Sequence, residues 1–423
     1  MTATSQRFPT HASSADVSYE SSIRRPHPPG PDHLRVAFVA DTIDGRLGGG
    51  VVAAHSLVAA LRERHDVVVV GADATGPKDV RVRGFQLPLQ AMRDMQFTMA
   101  RPDRPALRRA FADADIVHLQ FPFLLSAVAI DEARRQSRPV VAAFHVQPEN
   151  ALLNVGIRWK WLSRWLYRAW VHFIFNRADA VICPTAFAKR KLVEHGLKAP
   201  AYVVSNGVPT DVRATAARSS NPRTGSPFVI LAVGRLAAEK RQDVIIEAVR
   251  RSRHRDRIRL VLAGAGPREE ALRAQGMDLP NPPEVGFVSR ARLLDFLSEA
   301  DLFVHASEVE LEGIAVLEAM SAGVPALIAR SEESAASDFA LSDDFAFASG
   351  DAAHLAAQID ALIENPQRLA AARAQYRAVA EARDFAESVH DVESIYRRVL
   401  LETRRSLGSL PGAGSAVSSR QPG

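Results

Sequence analysis

The sequence predicts an α/β protein of two doubly wound domains, each a parallel sheet covered by helices. Residues 34–40 and 228–234 carry this prediction, because each is a short apolar run followed by a loop and then by a helical pattern. The chain has 423 residues, of which 47% are hydrophobic, so it can bury two cores of ordinary domain size. We place the linker at residues 213–227, which contain Ser, Asn, Pro and Gly and few apolar side chains.

Both ends of the chain have the composition of disordered segments. Residues 1–33 are rich in Ser, Thr, Pro and His without an apolar run, so we expect a disordered arm and neither a signal peptide nor a transmembrane segment. Residues 406–423 are predicted to be a disordered tail. The single Cys183 excludes a disulfide framework and a Cys-based zinc site, and is compatible with a reducing cytosol. The net charge of +5 suits an anionic partner without identifying it.

The first domain is expected to span residues 34–212. Three glycines follow its first strand, among them Gly49 and Gly50, and a helical pattern then runs through Leu61. Glycines in such a loop allow a ligand to approach the backbone, although a plain flexible loop would look the same. His145 follows a later strand, where the carboxyl ends of parallel strands line a cleft, but a structural histidine is the alternative. The buried strands are predicted at residues 67–71, 116–120, 140–145 and 180–184.

The four tryptophans of the chain all lie within residues 157–177, and no acidic residue occurs between Glu149 and Asp179. On a helical wheel the basic side chains form one stripe and apolar side chains lie opposite. This pattern predicts a basic amphipathic helix on an anionic membrane surface, with an ordinary core helix as the alternative. The proposed membrane or acceptor residues are Trp159, Lys160, Trp161, Arg164, Trp165, Arg168 and Trp170; His172 completes the stripe, and the opposite side comprises Leu162, Leu166, Ala169 and Phe173.

The second domain is predicted at residues 228–385, with cations and glycines after its first two strands. Arg235 and Lys240 follow the first strand, where a guanidinium can bind two phosphate oxygens and an ammonium adds a point charge. Gly264 and Gly266 follow the second strand, at residues 258–264, in a Gly-Ala-Gly-Pro turn. Later elements are predicted at 283–288, 301–305, 324–329, 352–364, 366–382 and 386–401.

An acidic loop precedes a predicted helix that begins at Ile314. Glu310 and Glu318 are separated by seven residues, with Gly313 between them. The free N–H groups at the start of this helix suit a diphosphate, and Glu318 can accept hydrogen bonds from ribose-type hydroxyls. Glu310 could hold sugar hydroxyls near a reacting bond. The alternative is an acidic turn before an ordinary core helix.

With these neighbouring motifs, the stretch resembles the sugar-nucleotide site of retaining glycosyltransferases of family four, which have the GT-B fold of two Rossmann-like domains facing a cleft. The resemblance extends over roughly residues 34–400. It implies that the domain at residues 34–212 lies on the acceptor side, and that a helix at residues 386–405 packs back on it. It assigns the catalytic residues His145 and Glu310. The implied donor-binding residues are Gly49, Gly50, Arg235, Lys240, Gly264, Gly266, Gly313, Ile314 and Glu318.

The common Glu-Gly-Phe-Gly of that family is replaced here by Glu310-Leu311-Glu312-Gly313, so that three acids alternate from Glu308. This variant is similar to that of bacterial enzymes that glucosylate diacylglycerol. The resemblance therefore implies transfer of a hexose, glucose from UDP-glucose, to a lipid hydroxyl by a retaining mechanism. We expect no cofactor and no obligatory metal, because no Asp-x-Asp metal motif is recognised. We expect a cytoplasmic enzyme, peripheral on the inner face of the cell membrane, that binds no nucleic acid.

Three alternatives remain open from the sequence. The acceptor could be a saccharide, in the assembly of capsule, exopolysaccharide or lipopolysaccharide. The chain could instead be a GT-B nucleotide-sugar epimerase, or a protein that binds a nucleotide sugar without catalysis. Release of nucleoside diphosphate only when an acceptor is present separates a transferase from the last two.

Overall fold

A computed structural model describes residues 33–43, 48–86, 97–216 and 227–408. The predicted arm, apart from His33, lies outside these residues, as do residues 217–226 of the predicted linker and the tail beyond residue 408. Two boundaries differ from the prediction. The helix Thr210–Ala216 occupies the first part of the predicted linker, and the last helix, Phe385–Gly408, extends into the predicted tail. In both places the polar and small residues led us to predict an irregular segment where the backbone is helical.

The strands of the first half of the described chain are β1 (Arg35–Val39), β2 (Asp66–Gly71), β3 (Val80–Arg81), β4 (Gly84–Phe85), β5 (Met99–Ala100), β6 (Ile116–Leu119), β7 (Val140–Ala143), β8 (Ala180–Cys183) and β9 (Ala201–Val203). Seven of them form a parallel sheet with strand order β3-β2-β1-β6-β7-β8-β9, while β4 and β5 form a separate pair. The central strand β1 pairs with both β2 and β6, so that Val36 lies beside Val67 and Ile116. The helices are α1 (Gly49–Arg62), α2 (Arg104–Phe111), α3 (Leu124–Arg135), α4 (Pro148–Asn154), α5 (Lys160–Phe173), α6 (Ala186–Glu194) and α7 (Thr210–Ala216).

The second half forms a parallel sheet of β10 (Phe228–Val233), β11 (Ile258–Ala263), β12 (Glu284–Gly286), β13 (Leu302–His305), β15 (Ala326–Arg330) and β17 (Ala346–Ala348), while β14 (Val309–Glu310) and β16 (Glu333–Ser334) form a separate small pair. The strand order of the sheet is β12-β11-β10-β13-β15-β17. The helices are α8 (Gln242–Arg251), α9 (Glu269–Gly276), α10 (Arg290–Glu299), α11 (Ile314–Ser321), α12 (Ala352–Glu364), α13 (Pro366–Glu381) and α14 (Phe385–Gly408).

The central strands of both sheets are buried on both faces, as is usual for parallel sheets between helices. This explains why they are continuous apolar runs in the sequence, and why the predicted strands agree with the observed ones to within about two residues. The predicted α/β class with two parallel sheets is confirmed.

The last helix, α14, packs against the first sheet although it follows the second in the chain. Its apolar side chains, among them Val392 and Tyr396, share a buried cluster with Val36 and Phe38 of β1. The hydroxyl of Tyr396 lies 2.8 Å from Nδ1 of the buried His118 on β6. The chain therefore crosses between the halves twice, once before α7 and once before α14.

Candidate active site

The three alternating acids of the loop after β13 point to three different partners. Glu308 pairs with Arg241, Glu310 pairs with Lys240, and Glu312 accepts hydrogen bonds from Asn206. The backbone leaves the strand β14 at Glu310, so the period-two alternation ends there and Glu312 turns toward the first half of the chain. Of the three carboxylates, Glu310 is therefore the one that pairs with Lys240, the lysine predicted to bind the diphosphate.

Glu310 lies beside one lysine and one histidine. Its Oε2 pairs with Nζ of Lys240 and lies 3.6 Å from Nε2 of His305, the last residue of β13. Burial alone would raise the pKa of Glu310, but Lys240 and His305 outweigh it and lower the pKa to about 2. The carboxylate is thus ionised at neutral pH and can accept hydrogen bonds but cannot donate a proton.

Glu318 lies in the second turn of α11, close to Arg290 at the start of α10. Its Oε1 accepts a hydrogen bond of 2.6 Å from Nη1 of Arg290, whose other nitrogens bind both carboxylate oxygens of Asp211 at 2.9 Å. Burial raises the pKa of Glu318, and the Arg290 guanidinium opposes that effect. Because the bond from Arg290 engages Oε1, the other oxygen, Oε2, can accept a ligand hydroxyl.

Arg235 and Lys240 lie in the loop between β10 and α8, as the sequence predicts. Arg235 pairs with the buried Glu239, which also accepts a hydrogen bond of 2.9 Å from Asn154 of α4. Within the described chain, the buried Nε of Arg235 has no acceptor. An anion placed there would satisfy a donor that otherwise carries a desolvation cost.

The glycine loop of the first half meets the start of α11. A Cβ at Gly49 would lie 3.5 Å from Cδ1 of Ile314, so the N-terminal turns of α1 and α11 face each other. A Cβ at Gly50 would lie 3.3 Å from the carbonyl oxygen of His145 and 3.4 Å from the ring of Phe121. The absence of side chains at Gly49 and Gly50 therefore lets His145, the N-terminus of α1 and the N-terminus of α11 lie close together.

His145 follows β7 and is half-buried. Burial lowers its pKa to about 4, so the imidazole is neutral at physiological pH. It lines a cavity of about 30 Å³ with His118, Gln120, Ser205 and Asn206. A neutral ring can donate a hydrogen bond from one nitrogen and accept one at the other.

Gly264 has a reason to be glycine that requires no ligand. A Cβ there would lie 1.9 Å from the carbonyl oxygen of Gly234, and a Cβ at Gly266 would lie 2.4 Å from that of Leu236. The loops after β10 and β11 therefore touch backbone to backbone. A nucleotide contact at Gly264 and Gly266 stays a prediction.

Gly313, in contrast, adopts a left-handed φ of 88° as the residue before α11 and directs the first N–H groups of that helix.

The Trp-rich segment forms α5, but its buried face is not the predicted one. Ser163, Tyr167 and Val171 are buried, whereas Phe173 of the predicted apolar side is 58% exposed. Trp170, at i+3 from Tyr167, is partly buried and its ring packs against those of Tyr167 and Phe123 at the first core. Its assignment to the membrane face stays a prediction. The side chains of Trp159, Trp161 and Trp165 are 58%, 64% and 60% exposed.

The exposed face of α5 is therefore basic on one flank and aromatic on the other. Lys160, Arg164, Arg168 and His172 are exposed as predicted, and Trp159 stacks on Trp161 with ring centroids 5.8 Å apart. Within the part of the chain that is described, no helix is both long enough and apolar enough to cross a bilayer.

Some residues of this cleft were missed by sequence reasoning. His305 ends a buried strand, the same signal that indicated His145, and could have been found by it. Arg290, Glu239 and Asn206 lie in ordinary helix and loop contexts and carried no signal. The statement that the chain has no Asp-x-Asp motif is wrong, because Asp113-Ala114-Asp115 has this pattern. Asp115, however, caps the amino end of the first sheet by accepting the Arg35 N–H at 2.8 Å, away from the cleft.

Two family models match the chain and together cover most of both halves. The model described as Glycosyltransferase Family 4 matches residues 47–212, and the model described as Glycosyl transferases group 1 matches residues 214–380. The boundary between the two matches falls between the two sheets.

Several characterised proteins are similar to this chain. Alpha-monoglucosyldiacylglycerol synthase of Streptococcus pneumoniae is 23% identical over 70% of this chain and 70% of its own length. A GDP-mannose-dependent alpha-mannosyltransferase of Mycolicibacterium smegmatis is 28% identical over 70% of this chain and 79% of its own.

Solved structures share the fold at low identity. Anabaena HepE in complex with UDP-glucose superimposes with a TM-score of 0.60 at 20% identity, covering 89% of this chain and 100% of that one. Sucrose-phosphate synthase of Thermosynechococcus elongatus superimposes with a TM-score of 0.66 at 16% identity, covering 87% and 100%. The family matches, the fold and the cleft between two parallel sheets lead to one conclusion: this chain is a nucleotide-sugar glycosyltransferase of family four with the GT-B fold.

Proposed function

We propose that this glycosyltransferase moves glucose from UDP-glucose to a hydroxyl of a membrane lipid such as diacylglycerol, with retention of the anomeric configuration, at the inner face of the cell membrane. The observation that carries the proposal is the Lys240–Glu310 pair beside the N-terminus of α11, facing the glycine loop of the first domain. It combines a cation for phosphate with an ionised carboxylate for sugar hydroxyls at one point of the cleft.

The donor would lie across the start of α11. Its diphosphate would bind Lys240 and Arg235, whose Nε is otherwise unsatisfied, together with the N–H groups of Gly313 and Ile314. Ribose hydroxyls would donate to Glu318. The carboxylates Glu310 and Glu239 pair with these two cations, so that neither cation is buried with its charge unbalanced.

The reaction that we propose needs no dedicated base. The acceptor oxygen attacks C1 of the sugar on the face that the phosphate leaves, and the C1–O bond to phosphate breaks with its electron pair on the phosphate oxygen. That oxygen takes the acceptor proton, so the products are a glycoside and a nucleoside diphosphate. Lys240 and Arg235 stabilise the charge of the leaving group. Neutral His145 donates a hydrogen bond to a sugar hydroxyl, and we assign no obligatory metal or other cofactor.

The lipid acceptor is supported by the exposed face of α5. Trp159, Trp161 and Trp165 are the side chains expected at a membrane interface, and each basic residue of the stripe contributes about 1 kcal/mol near an anionic surface. The Streptococcus pneumoniae relative is named as the synthase of a glucosylated diacylglycerol. The names of other relatives contain GDP-mannose, so mannose is the competing donor sugar.

The test is a transfer assay with the purified full chain, a panel of UDP- and GDP-sugars, and either diacylglycerol in anionic vesicles or a saccharide acceptor. We expect nucleoside diphosphate release from UDP-glucose only with the lipid, and loss of turnover in Glu310→Gln. Glu308→Gln is the matched control, because it makes the same charge change in the same loop but faces Arg241. Diphosphate release without any acceptor would refute transfer, and a saccharide as the better acceptor would refute the lipid.

Membrane binding is tested separately by co-sedimentation with anionic vesicles. Arg164→Glu with Arg168→Glu should abolish binding, and Trp161→Ser with Trp165→Ser should weaken it even at low salt. Arg255→Glu with Arg257→Glu makes the same charge change on the second domain and should bind as the wild type does. Equal binding of all variants would mean that α5 is not the membrane face.

A further inference from the structure

Glu312 is a buried carboxylate that the proposed donor site does not use. Its side chain is 3% exposed and is surrounded by donors from one short segment of the first domain. Ser205 Oγ lies 2.5 Å from Oε1, Asn206 Nδ2 lies 2.5 Å from Oε2, and the backbone N–H of Asn206 lies 3.1 and 3.2 Å from the two oxygens. No oxygen of Glu312 is left to face a ligand.

The segment that holds Glu312 lies where the chain crosses between the domains. A Cβ at Gly207 would lie 2.5 Å from Cα of Phe385, and the N–H of Val208 donates to the carbonyl oxygen of Arg383 at 2.9 Å. The chain passes from the first domain to the second at residues 205–208 and returns at residues 383–385. These two segments are therefore in direct contact. A residue anchored to this junction is held in a position that depends on how one domain lies relative to the other.

On its other side, Glu312 adjoins the groups that would bind the donor. It directly precedes Gly313 and Ile314, and it follows Glu310 by two residues. The neighbouring Leu311 is anchored as well, since its carbonyl oxygen accepts a hydrogen bond of 2.8 Å from Thr185 and its side chain packs in the core of the first domain. Asn206 also lines the cavity that contains His145.

Burying a carboxylate is unfavourable unless its hydrogen bonds are complete. Burial raises the pKa of Glu312, and the donors of Ser205 and Asn206 act against this by favouring the ionised form. A fold that only had to fill this space could use an apolar side chain at lower cost. The carboxylate at the domain junction is therefore explained by its hydrogen bonds with Ser205 and Asn206 and not by the filling of space.

We propose that Glu312 is a positioning residue that ties the loop at residues 310–314 to residues 205–208, where the chain crosses between the domains. Gly313, Ile314 and Glu310 would then take their binding positions only when the domains are in this arrangement. This rests on the proposed function for the role of the loop itself. At the position where the common motif has Phe, this chain therefore has a buried carboxylate that joins the two domains by hydrogen bonds.

The test uses reciprocal substitution in the full chain. Glu312→Gln places an amide NH2 against the donors of Asn206 and should raise the KM for the donor and lower kcat/KM by about tenfold or more. Asn206→Asp alone places two carboxylates together and should be at least as damaging. In the double variant the Gln amide can donate to the new carboxylate and still accept the backbone N–H, so kcat/KM should recover to within about threefold of the wild type.

Recovery is the result that a merely space-filling role would not give. Wild-type kinetics in Glu312→Gln, or a double variant no better than the worse single variant, would overturn the proposal. If Glu312→Gln does not fold, Ser205→Ala, which removes one of the contacts, should still raise the donor KM, and an unchanged KM would count against the clamp. Glu308→Gln is the control for loss of a charge from the same loop.

Calorimetry with UDP and with GDP separates this inference from the proposed function. If the wild type transfers no sugar but binds one nucleotide, the proposed function fails while the clamp is still tested by the nucleotide affinities of the same variants. Loss of affinity in both single variants and its recovery in the double variant would support the clamp. Equal affinity in all of them would overturn it.

Discussion

The ion pair of Lys240 and Glu310 should contribute measurably to stability as well as to donor binding. A fall in the pKa of Glu310 from 4.5 to about 2 corresponds to about 3 kcal/mol in favour of the ionised carboxylate. The two side chains are 18% and 19% exposed, so solvent screens the pair only in part. We expect Lys240→Met to lower the free energy of unfolding by about 2–3 kcal/mol at pH 7, since it leaves a buried carboxylate beside His305 alone.

A double-mutant cycle with Glu310→Gln isolates the interaction. Removing both charges should be less damaging than the sum of the single changes, with a coupling of about 2 kcal/mol. Circular dichroism is the suitable probe during urea unfolding, because all four tryptophans lie in the first domain. The exposed pair Lys78–Asp66, with side chains 66% and 46% exposed at 3.0 Å, is the matched control and should couple by less than about 1 kcal/mol.

The pH dependence gives an independent check of the same pair. The folded pKa of Glu310 lies below its unfolded value, so the contribution to stability is complete above about pH 4.5 and is lost as the pH falls through about 2. Lys240→Met should therefore flatten the acid limb of the stability profile. A coupling below about 0.5 kcal/mol together with an unchanged acid limb would refute the assignment of Lys240 as the cause of the lowered pKa.

Two further predictions concern the ligand. Glu318→Ala and Arg235→Ala should each weaken UDP binding by about 1.5–3 kcal/mol in calorimetry, and Glu318→Ala should also abolish the preference for UDP over 2′-deoxy-UDP; unchanged affinities would remove both residues from the site. Because burial lowers the pKa of His145 to about 4, His145→Gln should reduce turnover without altering the shape of the rate profile between about pH 6 and 8, and a wild-type inflection near pH 6.5 that the variant lacks would contradict a neutral ring.

Much of the fold follows from local patterns. Strands β1, β6, β7, β10 and β13 are largely buried on both faces, so each must be a continuous apolar run, and such runs are visible in the sequence without knowledge of their neighbours. The acidic loop and α11 were found in the same way, from an apolar strand, a glycine and helical periodicity.

The sequence also indicated which side chains would follow the carboxyl ends of the strands. Residues that follow the carboxyl ends of parallel strands come together at one edge of a sheet, so the sequence predicted Arg235 and Lys240 at the edge of the second sheet and His145 at the edge of the first. Their roles toward the donor stay predictions. What the sequence could not provide was the partner of each charge, because Lys240 has several carboxylates within reach along the loop and only the folded backbone selects Glu310.

By itself, then, the sequence determined the two parallel sheets, the order of their elements and the residues at their carboxyl ends, since these depend on burial over a few consecutive residues. The tertiary structure decided the direction of side chains where regular alternation stops. Glu312 turns to Asn206 because the chain leaves β14, and Trp170 faces the core because Tyr167, one helical turn before it, is buried there. Arg290 reaches Glu318 across 28 positions of sequence, a contact that exists only once both helices pack on the same sheet.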